Sequence, residues 1–483
     1  MHSTKLLFDN VSFYMFSNVI KALIGFILVP IYTYYLTLND FGIISVVTSI
    51  TAFLSIFYTL SLSSSVIRFY SKYSIVKENL IRFISSIITF LLLSNFLLTF
   101  LLITFKDYIF TPFVDGINFY PYIFIGLLSA TLTPLFLVTQ TINQAVHNAK
   151  KYAIISLSQY LLNISLVVFT VIYLRQGAFG VLISQLISIS IFFLFSVFKL
   201  FKEYKFHISK KYLKETLNYS LPLIPHSLSA YIIDLFDRIL LNNLKSTADV
   251  GIYNVGYKFG SLLDFVVSSV HLSFSPWFME NVAIEREQKK IVRFTEFIIS
   301  FYCLIALFIS LFGKEIFRFL LSEEFEKAYV VLPFISFSYV IIGTYYFFGY
   351  SLFYMKGKTK LINISTFIAA GLNVFLNFLL IPNYGTIGAG LATLCSFLVS
   401  SIITLILSNN IDLIRYNYVK IYSFIFSFFI LSLVFNDFTY LEATESFLIK
   451  VLVFLLVLLF LSYYYVKELR LVYILFKGRL TKN

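Results

Sequence analysis

Charge is what this sequence has least of: Asp, Glu, Lys and Arg make up 13% of its 483 residues, against 59% hydrophobic. Soluble domains carry charge on about a quarter of their residues, so this composition excludes a chain folded only in water. Polar sequence long enough for a soluble domain is also missing. The longest polar connections, 201–218 and 276–291, fall far short of a minimal domain. The two cysteines, Cys303 and Cys395, both lie in apolar runs and imply neither a disulfide nor a metal site. Five histidines without ligand spacing give metal chemistry no support. No Gly-x-x-x-x-Gly-Lys-Ser/Thr loop occurs, which argues against ATP hydrolysis and implies no cofactor.

What the sequence does have is apolar runs of about 20 residues, each long enough to cross roughly 30 Å of hydrocarbon. Fourteen follow one another from end to end, which predicts an all-α polytopic membrane protein with 14 transmembrane helices. The first run is too long for a signal-peptide core, carries Lys21 and lacks a small-residue cleavage site, so it is expected to remain as the first helix.

The net charge of +13 is distributed by loop rather than by patch. With the amino terminus inside, alternate loops collect the basic residues: Arg68 to Arg82, Lys150 and Lys151, Lys199 to Lys214, Arg286 to Arg293, Lys356 to Lys360, Arg415 to Lys420, and the tail from Lys467. Only Lys106, Arg175, Lys245, Lys314, Arg318, Lys327 and Lys450 fall on the other side. This is the positive-inside bias, and it places both termini in the cytoplasm. It also explains the basic balance by orientation and contact with anionic membrane lipids, with no nucleic-acid partner needed.

One short pattern is written twice. Asp40, Gly42, Ile43 and Val46 return 209 residues on as Asp249, Gly251, Ile252 and Val255. Leu162-Asn163-x-x-Leu166 returns as Leu372-Asn373-x-x-Leu376, and Gly177-x-x-Gly180 as Gly385-x-x-Gly388, at nearly the same offset. Matches in chain order predict two copies of a six-helix unit, a lobe at 1–200 and a lobe at 219–409, joined by a cytoplasmic linker at 201–218. Residues 410–483 add two appended helices and a cytoplasmic tail. Six crossings is an even number, so the copies share one orientation, as parallel transporter repeats do, with the substrate path expected between them. Asp40 and Asp249 sit where a turn enters a helix, and a carboxylate there can cap free backbone donors.

The stretches IYTYYLTLNDFGIISVVTSI, LPLIPHSLSAYIIDLFDRILL, DVGIYNVGYKFGSLLDF and LNVFLNFLLIPNYGTIGAGLATL make the chain resemble the polysaccharide-biosynthesis branch of the multidrug/oligosaccharidyl-lipid/polysaccharide exporter superfamily. The resemblance is to Wzx-type flippases of O-antigen and capsule repeat units, and it runs over essentially the whole chain. Its most specific parts are Leu380 to Ala389 and the Asp237-Arg238 pair. It implies a non-enzymatic transporter of the bacterial inner (plasma) membrane. Its cargo would be a polyprenyl-pyrophosphate-linked oligosaccharide, moved from the cytoplasmic to the outer leaflet by alternating access. A polysaccharide polymerase and chain-length machinery are the protein partners it implies.

Ionisable side chains at membrane depth are costly and therefore functional candidates. They are Lys21 in helix 1, Asp234, Asp237 and Arg238 in helix 7, Lys258 and Asp264 in helix 8, and Glu296 in helix 9. Asp234 and Arg238, four apart, share a face and can neutralise each other. Lys21 has no carboxylate in the first six helices, so an unpaired ammonium there suits a pyrophosphate. Arg68, which matches a recurrent arginine of the resembling family, can guide the headgroup in. The substrate set is therefore Lys21, Arg68, Asp234, Asp237, Arg238, Lys258 and Asp264. Asp264, Glu296 and His226 are the candidates for coupling to a proton or sodium gradient. His271 is a further protonation candidate, although a lone histidine in a helix, His226 included, is more often a hydrogen-bonded packing residue. Among the aromatics, Tyr32, Tyr34, Tyr35, Tyr231, Tyr253 and Tyr257 are candidates to stack on sugar, and Pro30, Pro222 and Pro225 to serve as hinges.

Two rival cargoes remain open: a lipid II-type peptidoglycan precursor, and a cationic drug moved by an antiporter. The drug pump fits less well because it calls for carboxylates in the first half, where Lys21 stands instead. A membrane glycosyltransferase or polymerase lacks its catalytic loop, since Glu323, Glu324 and Glu326 form no acid/base constellation.

Overall fold

A computed structural model describes residues 2–112, 114–355, 360–411, 413–436, 443–468 and 470. The basic stretch at Lys356 and Lys358, and the tail past Arg470, lie outside the described residues. Every described element is helical or a turn. In chain order the helices are α1 (His2–Thr33), α2 (Leu38–Thr59), α3 (Leu62–Ser74), α4 (Lys77–Thr104), α5 (Lys106–Ile109), α6 (Phe124–Ala145), α7 (Ala149–Val168), α8 (Gly177–Glu203) and α9 (Lys210–Ser220). Then come α10 (Ile224–Leu244), α11 (Thr247–Gly260), α12 (Leu262–Asn281), α13 (Glu285–Leu320), α14 (Leu332–Tyr354), α15 (Lys360–Asn409), α16 (Tyr418–Val434) and α17 (Ala443–Tyr464). Among the described residues, 11 helical stretches are long and apolar enough to cross a membrane. In hydrocarbon a helix satisfies its own backbone polar groups, which is why these runs take this form and no other.

The chain divides into two compact units, Met1–Gly251 and Ile252–Asn483. In the first, Leu62 and Val66 of α3, Phe83, Ile84 and Ile87 of α4, and Leu135 and Val138 of α6 form an apolar core. In the second, Val267, Ile299, Tyr302, Leu307, Phe337 and Phe348 do so from α12, α13 and α14. Hydroxyls knit that core as well: Ser310 meets Ser336 at 3.1 Å and Thr344 meets Ser401 at 2.7 Å. Helices in lipid cohere through such small polar contacts because apolar surface alone gains little by leaving lipid for protein. Outward faces stay apolar, as on α17 with Leu452, Leu456 and Leu459.

Two ion pairs tie α17 and the residues after it to α13. Lys450, fully buried, donates to Glu315 at 2.7 Å, and Arg293 donates to Glu468 at 2.6 Å. Lys450, read from sequence as a loop cation, is thus a helix-packing group.

The repeated Asp-x-Gly pattern makes the same local structure twice. At α2, the Thr37 backbone N–H donates to Asp40 Oδ2 at 3.0 Å and Asp40 N–H to Thr37 Oγ1 at 3.1 Å, a capping box. At α11, Ser246 Oγ donates to Asp249 Oδ2 at 2.6 Å and Asp249 N–H to Ser246 Oγ at 3.1 Å. Asp40 also accepts from Ala178 N–H at 2.7 Å. The glycines of the pattern then bring these helix starts against each other. A Cβ on Gly42 would stand 1.9 Å from the Thr247 carbonyl oxygen, and one on Gly251 would stand 2.2 Å from that of Leu38. Nearby, Asn242 Nδ2 donates to the Asp115 carbonyl at 2.7 Å and Thr247 Oγ1 to Asn242 Oδ1 at 2.8 Å.

Candidate functional site

Lys21 lies midway along α1, half-buried against α7. Its Nζ donates to Ser156 Oγ at 2.8 Å, and Tyr160 Oη, one turn further along α7, donates to its backbone carbonyl at 2.7 Å. Gly25, one turn on in α1, leaves room for that phenol: a Cβ there would sit 2.8 Å from Tyr160 Oη. The expectation of an unpartnered ammonium is therefore corrected. Lys21 has a partner in its own half, but a neutral one, so its charge is oriented rather than cancelled. Ser156 and Tyr160 were missed because hydroxyls 135 and 139 residues away carry no signal in an apolar run. Their i, i+4 spacing is the only trace.

Arg68, near the middle of α3, is exposed, and its guanidinium lies over the Tyr219 ring of α9 at 4.9 Å. On the same two helices Lys72 and Tyr73 both donate to the Glu215 carboxylate. These bonds, led by that from Lys72, hold the Glu215 carboxyl below its ordinary value of 4.5.

On α10 the charged cluster is arranged differently from its spacing. Arg238 pairs with the adjacent Asp237, NH1 to Oδ1 at 2.9 Å, with 5% and 0% of the two side chains exposed. Asp234 meets the same guanidinium through its backbone carbonyl, and its side chain is exposed. The buried pair between neighbours thus stands beside the i, i+4 contact to Asp234. One turn and a half earlier, Tyr231 is buried with its ring 5.3 Å from that of Phe53 on α2. His226 is exposed in the first turn. Pro222 and Pro225 stand at the junction where α9 runs into α10. They occupy the short 3-10 turn Leu221–Leu223 and the first turn of α10, and the missing N–H of Pro222 interrupts the ladder right after Leu221 N–H donates to the Leu217 carbonyl.

In the second unit Lys258 is exposed at the end of α11, and Asp264, half-buried on α12, accepts from Ser268 Oγ at 3.3 Å. Glu296, expected as an ion-coupling carboxylate, is committed instead to an ion pair with Lys420 of α16. His271 hydrogen-bonds to Tyr350 Oη and stacks on Tyr346 at 4.4 Å and on Tyr350 at 5.2 Å. Of the sugar-stacking candidates, Tyr253 and Tyr257 join Tyr231 in being buried, Tyr35 lies under Arg175 at 4.6 Å, and Tyr34 is exposed. No group of three or more His, Cys, Asp or Glu placed to hold a metal ion exists among the described residues.

Thus the structure brings Lys21 to α7, Arg68 to α9, Arg238 to Asp237, and Glu296 to Lys420. Lys21, Arg68, Asp237 and Arg238 lie inside residues 7–282, which match the profile of the family described as "Polysaccharide biosynthesis protein". This chain belongs to that family. Among relatives of this family member, the "Lsg locus putative protein 1" of Haemophilus influenzae is 26% identical over 292 residues, covering 55% of this chain and 70% of the relative. The "Probable low-salt glycan biosynthesis flippase Agl15" of Haloferax volcanii is 25% identical over 201 residues, 40% of this chain and 42% of the relative. In fold, the chain is similar to the "Lipid II flippase MurJ, inward closed conformation", with a TM-score of 0.74 at 18% identity, covering 95% of this chain and 100% of that one. It is also similar to an inward-facing multidrug MATE transporter, with a TM-score of 0.59 at 15% identity, covering 80% and 89%.

Proposed function

We propose that this protein is a flippase that carries a polyprenyl-pyrophosphate-linked oligosaccharide from the cytoplasmic to the outer leaflet for surface polysaccharide assembly. Family membership supports the pathway, and a relative named as a glycan-biosynthesis flippase supports the transport step. The observation that carries the headgroup chemistry is Lys21: an ammonium within an apolar helix, aimed by a neutral hydroxyl and so left with its charge for an anion. Arg68, exposed on α3 and aromatic-backed, is placed to receive the headgroup, and Asp234, Asp237, Arg238, Lys258 and Asp264 complete the proposed polar path. Asp264 and His226 remain the candidates for ion coupling, and polymerase and chain-length proteins the candidate partners.

Fourteen crossings follow from the 11 apolar stretches if α10, α16 and the second half of α15 also cross. α10 has 21 residues and only its buried Asp237–Arg238 pair and Asp234 set it apart from an apolar span. α15 has 50 residues, about 75 Å of helix, far more than one crossing needs, and it breaks at Gly385 (φ 55°, ψ −128°). Fourteen crossings would put both termini on one side, the cytoplasmic one by the basic-loop bias, and leave two six-helix repeats, 1–200 and 219–409, to alternate access.

The test is flipping in liposomes with a polyprenyl-pyrophosphate oligosaccharide in one leaflet and a lectin that sees only the outside. Wild type should raise lectin access, and Lys21→Ala should slow it about tenfold or more, the range expected for losing one charge-assisted contact. The fold also suits a lipid II-type precursor, which shares the lipid diphosphate and is tested by exchanging the headgroup sugar. Export of a cationic dye under a proton gradient, with no lipid movement, would replace the flippase reading by the antiporter one.

A further inference from the structure

The chain between α8 and α9 is laid against the side of α4. His207 N–H donates to Thr89 Oγ1 at 3.3 Å, and Ser209 N–H donates to Ser86 Oγ at 2.9 Å. α4 is one of the helices long enough to cross a membrane, and Ser86 and Thr89 lie one and two turns beyond Arg82 toward its apolar stretch, about 6 and 10 Å along the axis. The segment therefore runs beside the apolar part of α4 rather than below its end. α9 continues from it and is fixed by its inner face. Tyr212 Oη donates to Asn79 Oδ1 at 3.0 Å, Ser65 Oγ donates to the Thr216 carbonyl at 3.2 Å, and Lys72 and Tyr73 hold Glu215.

Two kinds of side chain remain on the outside. Phe206, 69% exposed, stacks on Phe201 of α8 at 4.1 Å, and Phe198, one turn before Phe201, is exposed as well, so the outward aromatic edge of α8 is carried on into the segment. Ile208 is exposed two residues later. Around these apolar groups Lys205, Lys210, Lys211 and Lys214 are exposed, and Lys211 and Lys214 share the face of α9 opposite the buried Tyr212 and Thr216. None of the four makes an ion pair among the described residues. The carboxylates of this stretch are Glu215, which acts on Lys211 but is committed to Lys72 and Tyr73, and Glu203, exposed in the last turn of α8. Water alone would leave Phe206 and Ile208 uncovered. An acidic soluble partner would answer the lysines but would have to reach a segment that lies beside a membrane-crossing helix. An anionic leaflet satisfies both, since large apolar side chains enter the boundary between headgroups and acyl chains while flanking ammonium groups meet the lipid phosphates.

We infer that residues 204–214 form an interfacial anchor for an anionic membrane leaflet, with Phe206 and Ile208 as its apolar hook and Lys205, Lys210, Lys211 and Lys214 as its contacts to lipid phosphate. Orientation by basic loops needs lysines, but it needs neither exposed apolar side chains among them nor a backbone bonded to the side of α4. The anchor is separate from the proposed cargo residues and stands whatever the cargo is. Through Ser86, Thr89 and Glu215 it ties α3 and α4 to the leaflet surface.

Trp277 is the single tryptophan, so Phe206→Trp combined with Trp277→Phe places one fluorescent reporter on the anchor. The test reads that reporter in the full-length protein in nanodiscs of phosphatidylcholine, with and without phosphatidylglycerol. Phosphatidylglycerol should lower quenching by aqueous acrylamide and raise quenching by phosphatidylcholine brominated on its chains. Lys205→Gln/Lys210→Gln/Lys211→Gln/Lys214→Gln should abolish that response, and so should about 1 M salt, where charges are screened beyond roughly 3 Å. All four side chains are exposed, and an unchanged unfolding temperature in phosphatidylcholine shows the variant folded. A reporter buried equally with and without phosphatidylglycerol makes the contact apolar only and overturns the anionic anchor. Full access of acrylamide in both lipids assigns the face to water or to a soluble partner and also overturns it. A phosphatidylglycerol response that survives in the folded quadruple variant overturns the role of the lysines.

Discussion

Arg238 shows what a single residue decides here. Its partner Asp237 has no exposed side chain, so Arg238→Ala removes half of a buried ion pair. The loss should be about 3–5 kcal/mol, seen as a lowered unfolding temperature in detergent. Asp237→Asn/Arg238→Gln, which removes both charges together, should recover most of it. If the double variant is stable yet flips slowly, the pair serves the cargo as well as the fold. The sequence marked both residues as intramembrane charges, but not that the adjacent Asp237 reaches the guanidinium at 2.9 Å, because spacing on an ideal helix ignores side-chain rotamers. Lys21 was equally visible, and Ser156 was not, since the contact depends on how α1 lies on α7.

At the scale of elements, the starts of α2 and α11 meet through glycine. Gly42→Ala should cost about 1–3 kcal/mol, because the new methyl would stand 1.9 Å from a backbone carbonyl that no side-chain rotation can move. Thermal unfolding of the variant beside Gly371→Ala, whose Cβ would meet nothing within 4 Å, checks this. α9 is held to α3 by Glu215, whose carboxyl sits below 4.5 in the folded chain, chiefly through the Lys72 hydrogen bond. A depressed carboxyl stabilises the fold above the unfolded value near 4.5 and loses that contribution as pH falls through the lower folded value. Wild type should therefore unfold at a higher temperature than Glu215→Gln at pH 6, and the gap should close toward pH 3. The caps of α2 and α11 were legible, because a capping box is local in sequence. The ion pairs from α13 to Lys450 and Glu468 were not, being 135 and 175 residues apart.

For the whole molecule, the number of crossings is the quantity to measure. With fourteen, the break at Gly385 faces away from the cytoplasm. Asn383→Cys, in a chain with Cys303→Ala and Cys395→Ala, should then react with an impermeant maleimide added outside intact cells. Labelling only after permeabilisation would remove one crossing upstream. By itself the sequence determined the helical class, the membrane as solvent and the family, because apolar run length, charge asymmetry and motif spacing are all written along one dimension. Only the tertiary structure decided what these charges meet: Arg238 meets its neighbour Asp237, Glu296 meets Lys420, and Lys21 meets the hydroxyl of Ser156. A low-dielectric interior makes pairing obligatory without specifying the partner, and the partner is set by helix packing that a linear pattern does not contain.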